Sequence, residues 1–128
     1  MAASRKLVWT GWIISILASL VFLMSGTMKF VGGPQVEQGL THLGIAKSMV
    51  IPLGILELAC IVIYLIPITS VLGAILMSGY VGGIILSHWR VGDPVYIPIV
   101  LGLMLWLGLY LREPRLRELI PLRRTSPG

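Results

Sequence analysis

The run MVIPLGILELACIVIYLI, Met49 to Ile66, decides the fold, because it reads as a membrane-spanning helix in every respect but one. Its length lies within the roughly 17–25 apolar residues that cross a bilayer as a helix. Pro52 falls in the first turn, where a missing N–H costs least. The exception is Glu57, at the centre. A carboxylate near the bilayer midplane costs roughly 2.5–3.5 kcal/mol on insertion scales, and such residues face a bundle interior or a watery cavity. What Glu57 meets is therefore the functional question.

Three comparable runs surround it: Leu7 to Met28, Ser70 to Trp89, and Val95 to Leu111 with Pro98 in its first turn. The expected fold is all-α: a four-transmembrane-helix bundle, forming one domain over residues 1–128. Composition agrees, since the chain is 56% hydrophobic and only 12% charged, against about 25% charged in soluble domains. The first run exceeds the 7–15-residue apolar core of a signal peptide, and Gly26-Thr27-Met28-Lys29-Phe30 is a poor cleavage site. It is read as retained.

The net charge of +5 is a topology signal. Arg5 and Lys6 precede the first span, and Arg112, Arg115, Arg117, Arg123 and Arg124 follow the last. Lys29, Lys47 and Arg90 on the opposite face are partly offset by Glu37 and Asp93. The positive-inside rule then places both termini in the cytoplasm, with residues 112–128 as a basic cytoplasmic tail. An integral protein of a bacterial cytoplasmic membrane is expected. Its basic patch meets membrane lipids rather than nucleic acid. The lone Cys60 excludes an intramolecular disulfide and Cys-x-x-Cys dithiol chemistry, and reads as a buried apolar thiol.

The first span carries a stripe of Gly11, Ser15, Ala18, Phe22, Ser25 and Lys29, spaced alternately by four and three, the period of a helix seam. Small residues let helices approach closely in lipid. Either this is packing alone, or the seam delivers Lys29 toward the bundle axis. In the following loop Gly32-Gly33 breaks the helix and Pro34 starts another. Val36, Leu40 and Leu43 share one side of it, apart from Glu37, Gln38 and His42. This predicts a short amphipathic surface helix between the first two spans, serving either as a lid or as an idle headgroup contact.

Pro67-Ile68-Thr69 is a tight turn that makes the second and third spans antiparallel neighbours. The third holds Gly73, Gly79, Gly82 and Gly83 and is expected to be the helix most closely packed by its neighbours. The Gly82-Gly83 pair either bends it or leaves space for a ligand. Asp93, before Pro94, is biased away from helix and suits a cap for the fourth span, or a site near His88.

At about 1.5 Å per helical residue, Glu57 lies roughly 12 Å below the outer end of its span. Tyr80 and Trp106 come out at that depth, while Lys29, His88 and Asp93 form a layer nearer the surface. A lysine stem descends one turn but hardly two, so a direct Lys29–Glu57 pair requires tilting or a recessed pocket. Glu57, His88, Lys29 and Asp93 are the candidate catalytic residues, because histidine and a buried acid can exchange protons. Tyr80, Trp106, Phe22 and Ser25 are the candidate substrate contacts. Glu57 as a fixed interhelical hydrogen-bond partner is the bland alternative. No phosphate loop, zinc-ligand spacing or nucleophilic triad is present, so neither a cofactor nor a metal site is expected.

Ser25-Gly26-Thr27-Met28-Lys29-Phe30, His42-Leu43-Gly44, Leu53-Gly54-Ile55-Leu56-Glu57, Gly79-Tyr80-x-Gly82-Gly83 and His88-Trp89-Arg90-Val91-Gly92-Asp93-Pro94, in this order, resemble the DoxX-like family of small integral membrane proteins. The resemblance runs from the first span to Leu119 and implies a four-helix membrane bundle. Relatives in that family include a small subunit of a thiosulfate:quinone oxidoreductase and membrane partners of redox and thiol-stress enzymes.

The leading expectation is an intramembrane polar pocket for a lipophilic, quinone- or terpenoid-like small molecule. The protein would then be a membrane subunit of a redox complex, with a redox partner protein or a homo-oligomer, or a cofactor-free acid–base enzyme. The alternatives are a small proton-coupled transporter using Glu57 and a purely structural anchor subunit.

Overall fold

The structure is a computed structural model that describes residues 5–123. Helix α1 covers Arg5–Val31, α2 Pro34–His42, α3 Val50–Leu65, α4 Ser70–Arg90, α5 Tyr96–Arg112 and α6 Pro114–Arg117. Single 3₁₀ turns, Lys47–Met49 and Pro67–Thr69, lead into α3 and α4. The protein is an all-α bundle. With their leading turns, Arg5–Val31, Lys47–Leu65 and Pro67–Arg90 are long and apolar enough to cross a membrane. Helix α5, at 17 residues, rises only about 25 Å, short of a hydrocarbon core of about 30 Å.

The four long helices close a ring in the order α1, α3, α4, α5 and back to α1. The short α2 lies across one end, here the roof end; α6 lies beyond the other, the tail end. Gly32 and Gly33, with φ of 73° and 108°, provide the turn from α1 into α2, which a residue with a Cβ would resist.

The burial pattern inverts that of a soluble protein. Ile13, Leu17, Leu20 and Met24 of α1 are exposed, while Ser15, Ser19, Glu57, Ser70 and Arg112 are buried beside Phe22, Ile61, Tyr64, Met77 and Leu105. In lipid such helices gain nothing from hiding apolar surface and associate by close packing and hydrogen bonds. The close packing is visible at glycines. A Cβ on Gly11 would stand 2.6 Å from the Gly108 carbonyl of α5, and one on Gly26 2.7 Å from Leu58 of α3. Gly73 packs on the Tyr64 backbone across the turn between α3 and α4.

These contacts correct one expectation. The glycine-rich stretch of α4 is not its most tightly packed part, since Gly79, Gly82 and Gly83 are exposed and a Cβ there would meet nothing within 4 Å. Only Gly73 in that helix is used for close approach. A second correction concerns the tail: α5 continues through Arg112, whose side chain turns into the bundle with 9% exposure. Arg124, counted with the basic tail, lies outside the described residues. The N-cap of α5 also differs from expectation: it is Val95, with no side-chain cap.

Candidate functional site

Two clusters of polar side chains lie inside the bundle, one toward each end. At the tail end, Arg112 donates from Nε to Ser15 Oγ (3.1 Å), from Nη1 to Ser70 Oγ (3.2 Å) and from Nη2 to the Tyr64 carbonyl (3.2 Å). Its guanidinium lies 4.1 Å from the Trp12 ring centroid and 4.9 Å from that of Tyr64, a cation–π arrangement that offsets the missing carboxylate. Tyr64 hydroxyl bonds the Leu105 carbonyl and Ser15 Oγ. The cluster is filled by its own members, and it ties all four long helices together. Sequence reasoning missed it by counting Arg112 with the tail. The available signal was Gly108, one turn before Arg112, opposite the Gly11 and Ser15 of the first-span seam.

Toward the roof end, α1 and α3 cross at Gly26 and Gly54, and a Cβ on Gly54 would stand 3.2 Å from Lys29 Cβ. Lys29 is therefore level with Gly54, one turn from Glu57, rather than with the start of α3. Its stem covers that turn. Nζ reaches 3.3 Å from each Glu57 oxygen and donates to Ser25 Oγ at 3.1 Å. Tyr80 of α4 donates its hydroxyl proton to Glu57 Oε2 at 3.0 Å. The carboxylate is 1% exposed and the lysine side chain 13%. Counting residues from helix ends put the two on different levels; the crossing point of α1 and α3 removes the gap.

Beside this triad opens a chamber of about 550 Å³, within the usual 300–1,000 Å³ of small-molecule sites. Ser25 and Lys29 of α1, Tyr80 and His88 of α4, and Cys60 of α3 stand on its wall, and Leu40 of α2 and Leu43 just after it cover it. The amphipathic helix is thus a roof, with Leu40 of its apolar side on the chamber lining. Glu57 is not on the wall itself. It lies behind Lys29 and Tyr80, which present its charge and its hydrogen bonds to the cavity.

At the roof, Asp93 joins two histidines. His42 Nε2 is 3.0 Å from both carboxylate oxygens, and His88 Nδ1 is 3.1 Å from Oδ2. An ionised carboxylate only accepts, so both rings donate to it. That commits His88 Nδ1–H to Asp93 and leaves Nε2 free of that contact. Asp93 therefore does not cap α5. The pairing with His42 was missed because the two lie 51 positions apart, and only the return of α2 over the bundle end brings them together. Arg90 donates to the Leu43 carbonyl, a second tie between roof and bundle. Among the described residues no group of three such side chains has metal-holding geometry.

Hydrogen bonds from His42, then from His88, hold the Asp93 carboxyl below its ordinary value of 3.8. The sign follows by linkage: a depressed folded value contributes stability above the unfolded value, and the contribution is lost as pH falls through the lower, folded value. Protection of the α2 amides, relative to the intrinsic exchange rate at each pH, is therefore expected to persist on acidification from neutral pH through 3.8, falling only below it. In Asp93→Asn protection is expected to be low across the whole range. Equal exchange in both proteins would show that Asp93 does not hold the roof.

Two expected contacts lie elsewhere. Phe22 is buried in the apolar core. Trp106 donates Nε1–H to Ser78 Oγ at 2.7 Å and lines the cleft between α4 and α5, so its depth matches that of Tyr80 but its direction does not. Ser25, Lys29, Tyr80 and His88 meet at one chamber, with Glu57 and Asp93 each one contact behind it.

A family model described as the DoxX-like family matches residues 13–108. No curated protein and no solved structure matches the chain.

Proposed function

This chain belongs to the DoxX-like family, and from that premise we propose that it binds a lipophilic, quinone- or terpenoid-like molecule in the roofed chamber and handles protons there. The observation that carries this reading is the shared wall. Lys29, Tyr80 and His88 border a cavity whose remaining lining is largely apolar, the composition of a site that orients an apolar ligand by a few polar groups. His88, held by Asp93 through Nδ1, exchanges a proton at Nε2. Lys29 stabilises negative charge developing on a ligand oxygen. Glu57 holds Lys29 and Tyr80 in place and balances the lysine charge.

Two forms of this activity fit the same wall. In one the protein is the membrane subunit of a redox complex, and a partner protein carries the electrons. In the other it is a cofactor-free acid–base enzyme. The proposed setting is a bacterial cytoplasmic membrane, with four spans and both termini cytoplasmic.

The test is binding of a decyl-chain quinone and of farnesol to the protein in nanodiscs, read by quenching of tryptophan fluorescence. Saturable binding is expected for at least one. Gly83→Leu, which adds a side chain where no atom stands within 4 Å, is expected to weaken it by roughly tenfold or more, about 1.4 kcal/mol. His88→Gln is expected to retain binding. Partition into the nanodisc without saturation, unaffected by Gly83→Leu, would remove the reading.

A further inference from the structure

The chamber has an opening that the roof does not cover. Leu56 of α3 and Leu76 of α4 line it, yet they are 49% and 39% exposed on the outer surface of the bundle. Gly79 and Gly83 also line it and are exposed, with nothing within 4 Å of a Cβ at either. Residues that face both the chamber and the outside mark a slit between α3 and α4. On an integral membrane protein, that outside is lipid.

The other end of the chamber is roofed by Leu40, Leu43 and Ile45, with the exposed Met49 beside them. Arg90 bonds the Leu43 carbonyl, His42 bonds Asp93, and Lys47 lies 3.6 Å from Glu37 along the same segment. Polar groups on the wall gather toward this end: Ser87 and His88 belong to the last turn of α4, and Lys29 to that of α1. Leu56, Cys60, Leu76 and Gly79, which lie farther from the roof along α3 and α4, are apolar or small.

We infer that the chamber is loaded sideways from the membrane, through the slit between α3 and α4, by a single-tailed amphiphile. Its head lies under the roof beside His88 and Lys29, and its tail lies toward Leu56, Leu76 and the bilayer. A volume of about 550 Å³ holds one head and one chain, the size of a drug-like ligand. The apolar flanks admit a tail without stripping water from polar groups, whereas entry from the aqueous side would require breaking the ties of the roof. The inference rests on the chamber of the preceding section but not on the chemistry assigned to its wall.

Cys60 provides a reporter, being the chain's one cysteine and lying on the chamber wall away from the roof. Full-length protein in phosphatidylcholine vesicles is treated with a long-chain alkyl maleimide, which partitions into the bilayer, or with a sulfonated maleimide, which stays in water. The expected result is labelling of Cys60 by the alkyl reagent and not by the sulfonated one. Gly79→Leu, which obstructs the slit, is expected to slow alkyl labelling by at least roughly tenfold, about 1.4 kcal/mol in barrier. Gly82→Leu, on the same helix but not on this chamber, is expected to leave it unchanged. Loosening the roof with His42→Ala and Arg90→Ala together is expected to have no effect on the alkyl rate.

Labelling by the sulfonated reagent at the alkyl rate would overturn lateral loading. So would faster alkyl labelling on loosening the roof, alkyl labelling indifferent to Gly79→Leu, or no labelling by either reagent. Failure of the binding test with normal alkyl labelling would instead reject the ligand classes and leave the entry route standing.

Discussion

Glu57→Ala is expected to destabilise the bundle by about 3–5 kcal/mol, the usual cost of removing one partner from a buried ion pair. The change leaves the Lys29 ammonium, with its side chain 13% exposed, without the two carboxylate contacts at 3.3 Å. It also leaves the Tyr80 hydroxyl without its acceptor. Lys29→Met is expected to be as harmful, since it strands the carboxylate. The double variant Lys29→Met, Glu57→Leu removes both charges and is expected to recover most of the loss, because a buried pair replaced by apolar residues of similar volume is often neutral. Unfolding by denaturing detergent from mixed micelles measures all three. A double variant as unstable as the sum of the singles would show that the two residues act independently.

The same series separates scaffold from site. If Glu57 and Lys29 serve only to join α1 to α3, the double variant is stable and fully active. If Lys29 serves the chamber, the double variant is stable and no longer handles the ligand. An anchor is expected to behave in the first way, because its polar residues are replaceable once the fold is maintained.

Arg112→Met carries the second large effect, a destabilisation of about 3 kcal/mol or more. Three acceptors lose a charged donor: Ser15 Oγ, Ser70 Oγ and the Tyr64 carbonyl. Hydrogen bonds to charged groups contribute about 1.5–3 kcal/mol each, reduced here because each serine hydroxyl can find another partner. Stacking on Trp12 and Tyr64 is lost as well. Arg112→Lys is expected to recover less than half of the loss, since a point charge cannot replace a planar fork that reaches three acceptors at once. Full recovery by lysine, in the same detergent unfolding measurement, would show that charge alone matters at this position.

What was legible in the sequence divides along a physical line. Apolar run lengths located the four long helices to within a few residues, and α1 simply extends farther at both ends, to Arg5 and Val31. The roof helix followed from Gly32-Gly33, Pro34 and the spacing of its apolar side. Glu57 announced itself, because an acid within an apolar run of eighteen residues has few explanations. Quantities set by how helices cross were not legible. The level of Lys29 relative to Glu57 depends on where Gly26 meets Gly54. The direction of Trp106 depends on the rotation of α5, and the meeting of His42 with Asp93 on a return of the chain across the bundle end. Depth along a helix can be counted in residues; azimuth and stagger between helices come only from packing.

The glycines illustrate the same limit. Gly11, Gly26, Gly54, Gly73 and Gly108 are places where another element comes close, while Gly79 and Gly83 are places where nothing does. In the string they look alike. The open pair lines the chamber and, in the proposed reading, helps make its slit.

The most direct measurement is a structure of the protein in lipid nanodiscs, with attention to the space bordered by Lys29, Tyr80, Gly83 and His88. Elongated non-protein density is expected there, its broader end under Leu43 and its narrow end between Leu56 and Leu76. A chamber closed by Leu56 and Leu76, empty of any occupant and with the Lys29–Glu57 pair packed over by side chains, would contradict it.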